Sequence, residues 1–468
     1  MKKLGLVAAA VLAAFTFVGC GGKKSSSDSI SIMFQGSDLE QSALKDCAER
    51  FTEKTGIKVE LMYTPHDSYT SKLASFIKNK NVPDIISIDG PVLANLAWSG
   101  VIQSVEPYID PAIIKDMTPS NVAQCTYPAD NKLYAISYAD STVLLYCNKT
   151  YLNKVGARIP TSVEDAWTAE EFDDILTKLA ALPEVTWPLD LMWSWNIAGS
   201  EWGTYGFYET LASGGSDIIN RDTWVAEGTL NSDASVNVMK YFQKWGTNGW
   251  IVPKSAGENT LYNDKRQTAI AWNGNWNYLT CEAAMGDEVI ALPLPNFGQG
   301  TRTPNATWIW GISATSKNPD KAGQFLNYMM TDTTFLDVQE TNACYPALNK
   351  FAERCEVYMD PTKMGIAYEQ SNYAISRPNH PAYPTITLAF SDAFEAILNG
   401  ADIKTELTKA AAKIDEDIKD NDGYPPFGKK YTSGDFNASS CMYPADNFHG
   451  CSIFFSIRTF TYKSKTYS

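Results

Sequence analysis

The chain has 468 residues, 44% of them hydrophobic and 20% charged, with a formal net charge of -14. That length allows two domains with sizeable cores, and the negative balance argues against nucleic acid and against electrostatic binding to anionic lipid. Three histidines argue against a metal cluster, and nine cysteines, sparsely spaced and without a CxxC, do not make a disulfide scaffold. Buried free thiols are expected for most of them, with a Cys344–Cys355 pairing left open.

At the N-terminus, Lys2 and Lys3 precede an apolar run from Leu4 to Val18, too short to span a bilayer comfortably and flanked like a secretory signal. Phe17-Val18-Gly19-Cys20 resembles a bacterial lipobox, in which the cysteine becomes the lipidated N-terminus; an ordinary signal cut nearby is the alternative. Residues 1–20 are therefore expected to be a leader ending at lipidated Cys20, and 21–28 a flexible tether. "SISIMFQGS" (29–37) predicts a strand ending at a polar corner. Ser37 and Glu40 stand at capping-box spacing ahead of a helix closed by Gly56. Strand "IKVELMYT", helix "SYTSKLASFIKNK", strand "PDIISID" and helix "PVLANLAWSG" follow. This alternation predicts a doubly wound parallel sheet, whose ligands sit beyond the C-terminal strand ends, near Gln35, Gly36, Ser37, Asp89 and Gly90.

The strand-like run from Leu133 to Tyr146 is long enough to serve two sheets in succession. Thr168 and Glu171 form another capping-box pair, and 187–216 is rich in Trp, Gly and Ser. An amphipathic helix follows at 233–250, then a strand leading into "IAWNGNWNY" (270–278). Strand 307–314, a helix opened by Pro319 and two more helices to about 420 complete the pattern. From Asn421 onward periodicity fades and the charge balance turns positive, so 421–468 reads as an atypical tail. The pair "CTYPADN" (125–131) and "CMYPADN" (441–447) is too short to mark a repeat.

"IAWNGNWNY" places Trp272 and Trp276 four residues apart among three asparagines, with Gly274 between. It reads as a surface for something apolar on its faces and polar on its rim: indole platforms, amide hydrogen bonds, and a glycine giving close backbone approach or positive φ. The alternative for either indole is core packing.

Several segments in order resemble extracellular solute-binding proteins of the sugar-type ABC importers, the group that includes the maltose-binding proteins. They are the lipobox, "FTEKTGIKVELMYTPHDSYTSKLASFI", "VPDIISIDGPVLANLAWSGVIQSVEPYI", "KLYAISYADSTVLLYCNKTYLNKVG", "AWNGNW", "WGISATSKNPDKAGQFLNYM" and "RPNHPAYPTITLAFSDAFEAILNG". The resemblance covers about 20–420. It implies an α/β, two-lobe periplasmic-binding-protein-like fold of type II, with the ligand cleft between lobes joined by crossing strands. Residues 29–140 plus 308–365 would form one lobe, and 141–307 plus 366–420 the other. Closure on the solute would present a surface to a membrane permease.

The resemblance also implies site residues. Trp272 and Trp276 would stack on a sugar ring, with Asn273 and Asn275 bonding hydroxyls. Asp89 matches a family carboxylate that accepts sugar hydroxyls, or else caps the next helix. Asp140 matches an acidic or polar hinge position at the cleft, or else makes an inter-domain hydrogen bond, with Tyr138 on the same strand face. Gln35, Ser37 and Asp38 lie at the first strand end, where capping competes for Ser37. Trp308 and Trp310 share a face, and at least one belongs to cleft or core. Trp193, Trp195 and Trp202 would extend the platform. Arg377 bonds hydroxyls bidentately or braces its loop; His66 and Asp67 are cleft residues or a surface turn. The expected protein is a monomeric, non-catalytic receptor without cofactor or metal. It would carry a neutral sugar or short oligosaccharide to ABC permease subunits, touching the membrane through its lipid alone. A polyamine or glycerol-phosphate receptor of the same fold is the alternative, and a secreted glycosidase a remote one. Acidic pairs such as Glu170-Glu171 fit a first helical turn better than a converging catalytic pair, and no G-x-S-x-G, H-E-x-x-H, P-loop or GxGxxG occurs.

Overall fold

The computed structural model describes residues 28–425 apart from 306, 342–344, 356–357, 359 and 361–363. Cys20, the tether up to residue 27, Cys344 and the tail beyond 425 lie outside the described residues. In chain order the main strands are β1 (Ser29–Phe34), β2 (Lys58–Tyr63), β3 (Ile85–Asp89), β4 (Ile102–Gln103), β5 (Ala135–Ile136) and β6 (Val143–Asn148). They continue with β7 (Trp187–Asp190), β8 (Thr268–Gly274), β9 (Val289–Leu292), β10 (Thr303–Asn305), β11 (Trp308–Ser313) and β12 (Ala374–Ser376).

One sheet runs β2-β1-β3-β11-β4, with β5 also paired to β11; a second runs β7-β8-β6-β9. In the first sheet β1 is parallel to β2 and β3, but β11 lies antiparallel to β3, β4 and β5. This corrects the expectation of a wholly parallel sheet. The chain re-enters the first lobe from the second through β10, so β11 arrives from the opposite edge. The run 133–146 is broken rather than continuous. Ala135–Ile136 joins the first sheet and Val143–Asn148 the second, whose six residues are all buried. Alternation then sends Val143, Leu145 and Cys147 into one core and Leu144 and Tyr146 into the other.

The local helix signals are realised. In α1 (Asp38–Thr55), Ser37 Oγ accepts the Glu40 amide at 3.3 Å and Ser37 N donates to Glu40 Oε2 at 2.8 Å, while Gly56 ends the helix at φ 75°. The Thr168 box is half made. Thr168 Oγ1 accepts the Glu171 amide at 3.1 Å, but the Glu171 carboxylate turns to Arg158. Cys47, Cys125, Cys147 and Cys281 are buried free thiols, and Cys355 is buried too.

Chain segments pass between the lobes at 136–143, at 303–308 and through β12. The parallel pairing of β10 with β12 joins two of them, Thr303↔Ala374 through Asn305↔Ser376. Fully buried Gln370 knits them to the second sheet, donating to Val143 O at 2.7 Å and accepting from the Leu294 amide at 2.9 Å. The helices Tyr383–Leu398 and Ile403–Asp420 then cover the second core. Residues 421–425, the described start of the atypical tail, pack against both lobes. Tyr424 packs on Trp98 of the first lobe at 4.8 Å and bonds Asp417 of the last helix at 2.8 Å, and Trp98 Nε1 donates to Pro425 O at 3.0 Å. Among the described residues no helix is long and apolar enough to cross a membrane.

Candidate functional site

Parallel strands β1 and β3 end on the same edge of the first sheet, and β11 begins there, with Trp308 paired to Asp89. Asp89 makes no capping hydrogen bond, so its N-cap reading falls away. Instead its carboxylate accepts Arg377 Nη2 at 2.9 Å and Nη1 at 3.3 Å. Arg377 follows β12, and its side chain is only 2% exposed. Its Nη1 also donates to Glu201, on the short helix Glu201–Tyr205 of the second lobe. One guanidinium therefore ties a carboxylate of each lobe at a crossing segment, and both carboxylates remain about a quarter open at 23% and 26% side-chain exposure. Burial pushes the Glu201 carboxyl up, against the pull of Arg377; Tyr383 Oη and Thr387 Oγ1, the latter at 2.8 Å, donate to it.

An aromatic shelf adjoins this group. The guanidinium lies 4.9 Å from the Tyr205 ring centre, and Tyr205 stacks on Trp276 at 6.1 Å and 27°. Trp195 stacks on Trp276 at 6.5 Å and 28°, and Trp202 meets Trp195 edge-on at 5.1 Å. Trp276 is 39% exposed, one of the few large apolar side chains this open among the described residues. Gly274 has an ordinary φ of -80°, so positive φ is not its reason. A Cβ there would stand 2.1 Å from the Trp276 ring, so the indole lies directly against the glycine. Gly274→Ala is accordingly expected to swing Trp276 off its seat while costing under about 1 kcal/mol of stability, since a side-chain end can yield. A shifted tryptophan emission at unchanged melting temperature would show this; a large fall in melting temperature would contradict it.

Trp272 is a correction. Strand alternation turns Ile270 and Trp272 into the second core, and Trp272 is fully buried, donating to Gly206 O at 2.8 Å between Phe207 and Phe242. Only the turn at 275–277 frees Trp276 to face outward. The asparagines are also inward. Asn273 is 1% exposed with its Oδ1 on the Gly274 amide, and Asn275 Oδ1 accepts the Thr142 amide at 3.0 Å, bracing the first crossing. Asp140 is buried, its carboxylate accepting from Ser120, Asn121, Gln124 and the Ser141 amide, which makes it a hinge brace. Tyr138 packs against Phe335 and Trp310 in the first core. Trp310 is buried there too, while Trp308 stays half-buried beside His66 and Tyr69. Ser37 is used by its cap, Asp38 is exposed at the helix start, and Gln35 is half-buried at the β1 end. Trp193 bonds Glu395, tying it to the helical layer of the second lobe.

Sequence reasoning missed Glu201, Tyr205, Tyr383 and Thr387. Glu201 and Tyr205 lie inside the aromatic run singled out above, but no spacing pointed to a carboxylate that meets Arg377 176 residues later.

His380, three residues beyond Arg377, is buried against Trp224 at 4.5 Å, and its Nδ1 accepts the Ala382 amide at 3.1 Å. Burial pushes its pKa down to about 4. The unfolded chain then binds the extra proton, so this stabilisation is whole above pH ~6.5 and lost as pH falls toward 4. Buried Asp190, pushed up to about 6, works the other way, losing stability as pH rises through that window. His380→Asn keeps an acceptor, and the wild type's advantage over it should shrink by on the order of 3 kcal/mol between pH 7 and pH 4. A pH-independent difference in denaturant unfolding would refute this.

Two α/β lobes, crossing segments between them and an aromatic, partly charged surface at the crossing define a two-lobe binding protein. A family model for bacterial extracellular solute-binding proteins matches residues 46–365, and the chain belongs to that family. The fold is shared with a cyclic α-maltosyl-1,6-maltose binding protein from Arthrobacter globiformis (19% identity, 84% of this chain and 99% of that one covered, TM-score 0.68). It is shared with an ABC transporter solute-binding protein from Thermotoga lettingae bound to α-D-tagatose (20%, 83% and 99%, TM-score 0.70). A third is an ABC substrate-binding protein from Listeria monocytogenes in complex with cycloalternan (19%, 84% and 99%, TM-score 0.70). The family is one of exported binding proteins.

Proposed function

We propose that the protein captures a neutral sugar or short oligosaccharide between its lobes and delivers it to an ABC permease. The observation that carries this reading is the open Trp276 indole, seated on Gly274 and stacked with Trp195 and Tyr205, beside Asp89, Glu201 and Arg377. A pyranose offers C–H groups to such a face and hydroxyls to the carboxylates on its rim. The saccharides recognised by the three structurally similar proteins point the same way. Arg377 holds a positive charge between the two carboxylates, which disfavours a polyamine, and those carboxylates disfavour a phosphorylated polyol. Lipidation at Cys20 would keep a monomeric receptor near the permease and raise its local concentration.

The test is thermal unfolding of the mature protein against monosaccharides, linear and cyclic oligosaccharides, polyamines and glycerol phosphates, with product analysis in the same wells. A sugar at 100 times its dissociation constant adds about 2.7 kcal/mol. A stabilising sugar recovered intact is the expected result; stabilisation by a polyamine alone, or cleavage of the sugar, overturns the reading.

A further inference from the structure

Beside Arg377 lies a small cavity with about 10 Å³ of room for the centre of a water molecule. It is lined by Gly90, Pro91 and Gln124 of the first lobe and by Asn305, Ser376, Arg377 and Asn379 of the crossing segments. Three of these lining residues carry a buried polar atom with no hydrogen-bond partner among the described residues: Arg377 Nε, Asn305 Oδ1 and Asn379 Oδ1. The Asn379 amide is oriented by its other end, because Nδ2 donates to Thr126 O at 2.8 Å. Its carbonyl oxygen is thus the atom left over. Arg377 uses Nη1 and Nη2 on Asp89 and Glu201, and Nε is the guanidinium nitrogen left without an acceptor among the described residues.

A donor and two acceptors around so small a space select the occupant. An anion beside the guanidinium would face two amide oxygens, and a cation beside those oxygens would face the guanidinium. A single water accepts from one and donates to the other two, and the space is that of one water. Three such atoms left dry would each carry a desolvation penalty.

We propose that this cavity binds one structural water, which accepts Arg377 Nε–H and donates to Asn305 Oδ1 and Asn379 Oδ1. The water fixes the back of the guanidinium while its front holds the carboxylates of both lobes. Asn305 and Asn379 are then positioning residues that act on the site through Arg377.

The test is a high-resolution crystal structure of the wild-type protein together with Asn305→Leu, which replaces an amide with an apolar side chain of similar size. The expected result is density about 2.7–3.2 Å from all three atoms, and a melting temperature lowered by roughly 2–4 °C in the variant, which removes one partner of the water. If Asn305→Leu does not fold, the wild-type density decides alone. No density, with Arg377 Nε turned onto an asparagine oxygen, overturns the proposal. So does an Asn305→Leu protein as stable as wild type, since an orphaned amide is the group an apolar replacement leaves unharmed.

Discussion

Arg377→Leu is expected to destabilise the protein by about 3–5 kcal/mol, because it removes the cation from between two carboxylates and leaves them facing one another at the lobe crossing. Arg377 is nearly inaccessible, while Asp89 and Glu201 keep about a quarter of their side chains open, so hydration of the abandoned carboxylates pulls the cost toward the lower figure. The sign of its pH dependence follows from Glu201. Burial already raises that carboxyl, and Arg377 is the strongest opposing influence; without the arginine its native form holds a proton more tightly than the unfolded chain does. The deficit should therefore be largest at neutral pH and shrink on acidification toward pH 5. Urea unfolding of wild type and variant at pH 5, 6 and 7.5 measures this directly. A deficit below about 1 kcal/mol at every pH would mean that Arg377 is not the tie between the lobes.

The two tryptophans of "IAWNGNWNY" should part company. Trp276→Ala removes an open indole, so stability should change by less than about 1 kcal/mol. Affinity for the stabilising sugar should fall by about 2 kcal/mol, roughly thirtyfold, as for an aromatic anchor in a recognition surface. Trp272→Ala deletes a fully buried indole and strips Gly206 O of its partner. It should cost about 3–5 kcal/mol of stability. Calorimetric titration and thermal unfolding of both variants form the check. Unchanged affinity in Trp276→Ala would remove the platform from the proposed function, whereas a folded and fully stable Trp272→Ala would contradict its place in the core.

Much of this protein can be read from neighbouring residues alone. The Ser37–Glu40 box, Gly56 at the end of α1, Pro319 at a helix start and the strand-helix alternation of 29–100 are short-range chemistry, complete within a few residues, and the structure realises each. The ordered run of family-like segments identified the two-lobe fold, because their succession carries more information than any one of them. The sequence marked Trp272 and Trp276 together as candidate platforms, with core packing open for either, and did not tell the two apart.

Which of them faces outward was decided by tertiary structure. A strand's period of two assigns Ile270 and Trp272 to one face, but only the helices Asp233–Thr247 and Tyr383–Leu398, packed over that face, make it the core. The same holds for Asp140 and Asn275, which read as ligand contacts and became braces once the crossing segments closed around them. Most of all it holds for the carboxylate–guanidinium group. Asp89 and Glu201 reach Arg377 across separations of 288 and 176 residues. No local propensity encodes such a meeting; it exists because two lobes fold about their own cores and their crossing segments bring one charge of each against a single buried cation.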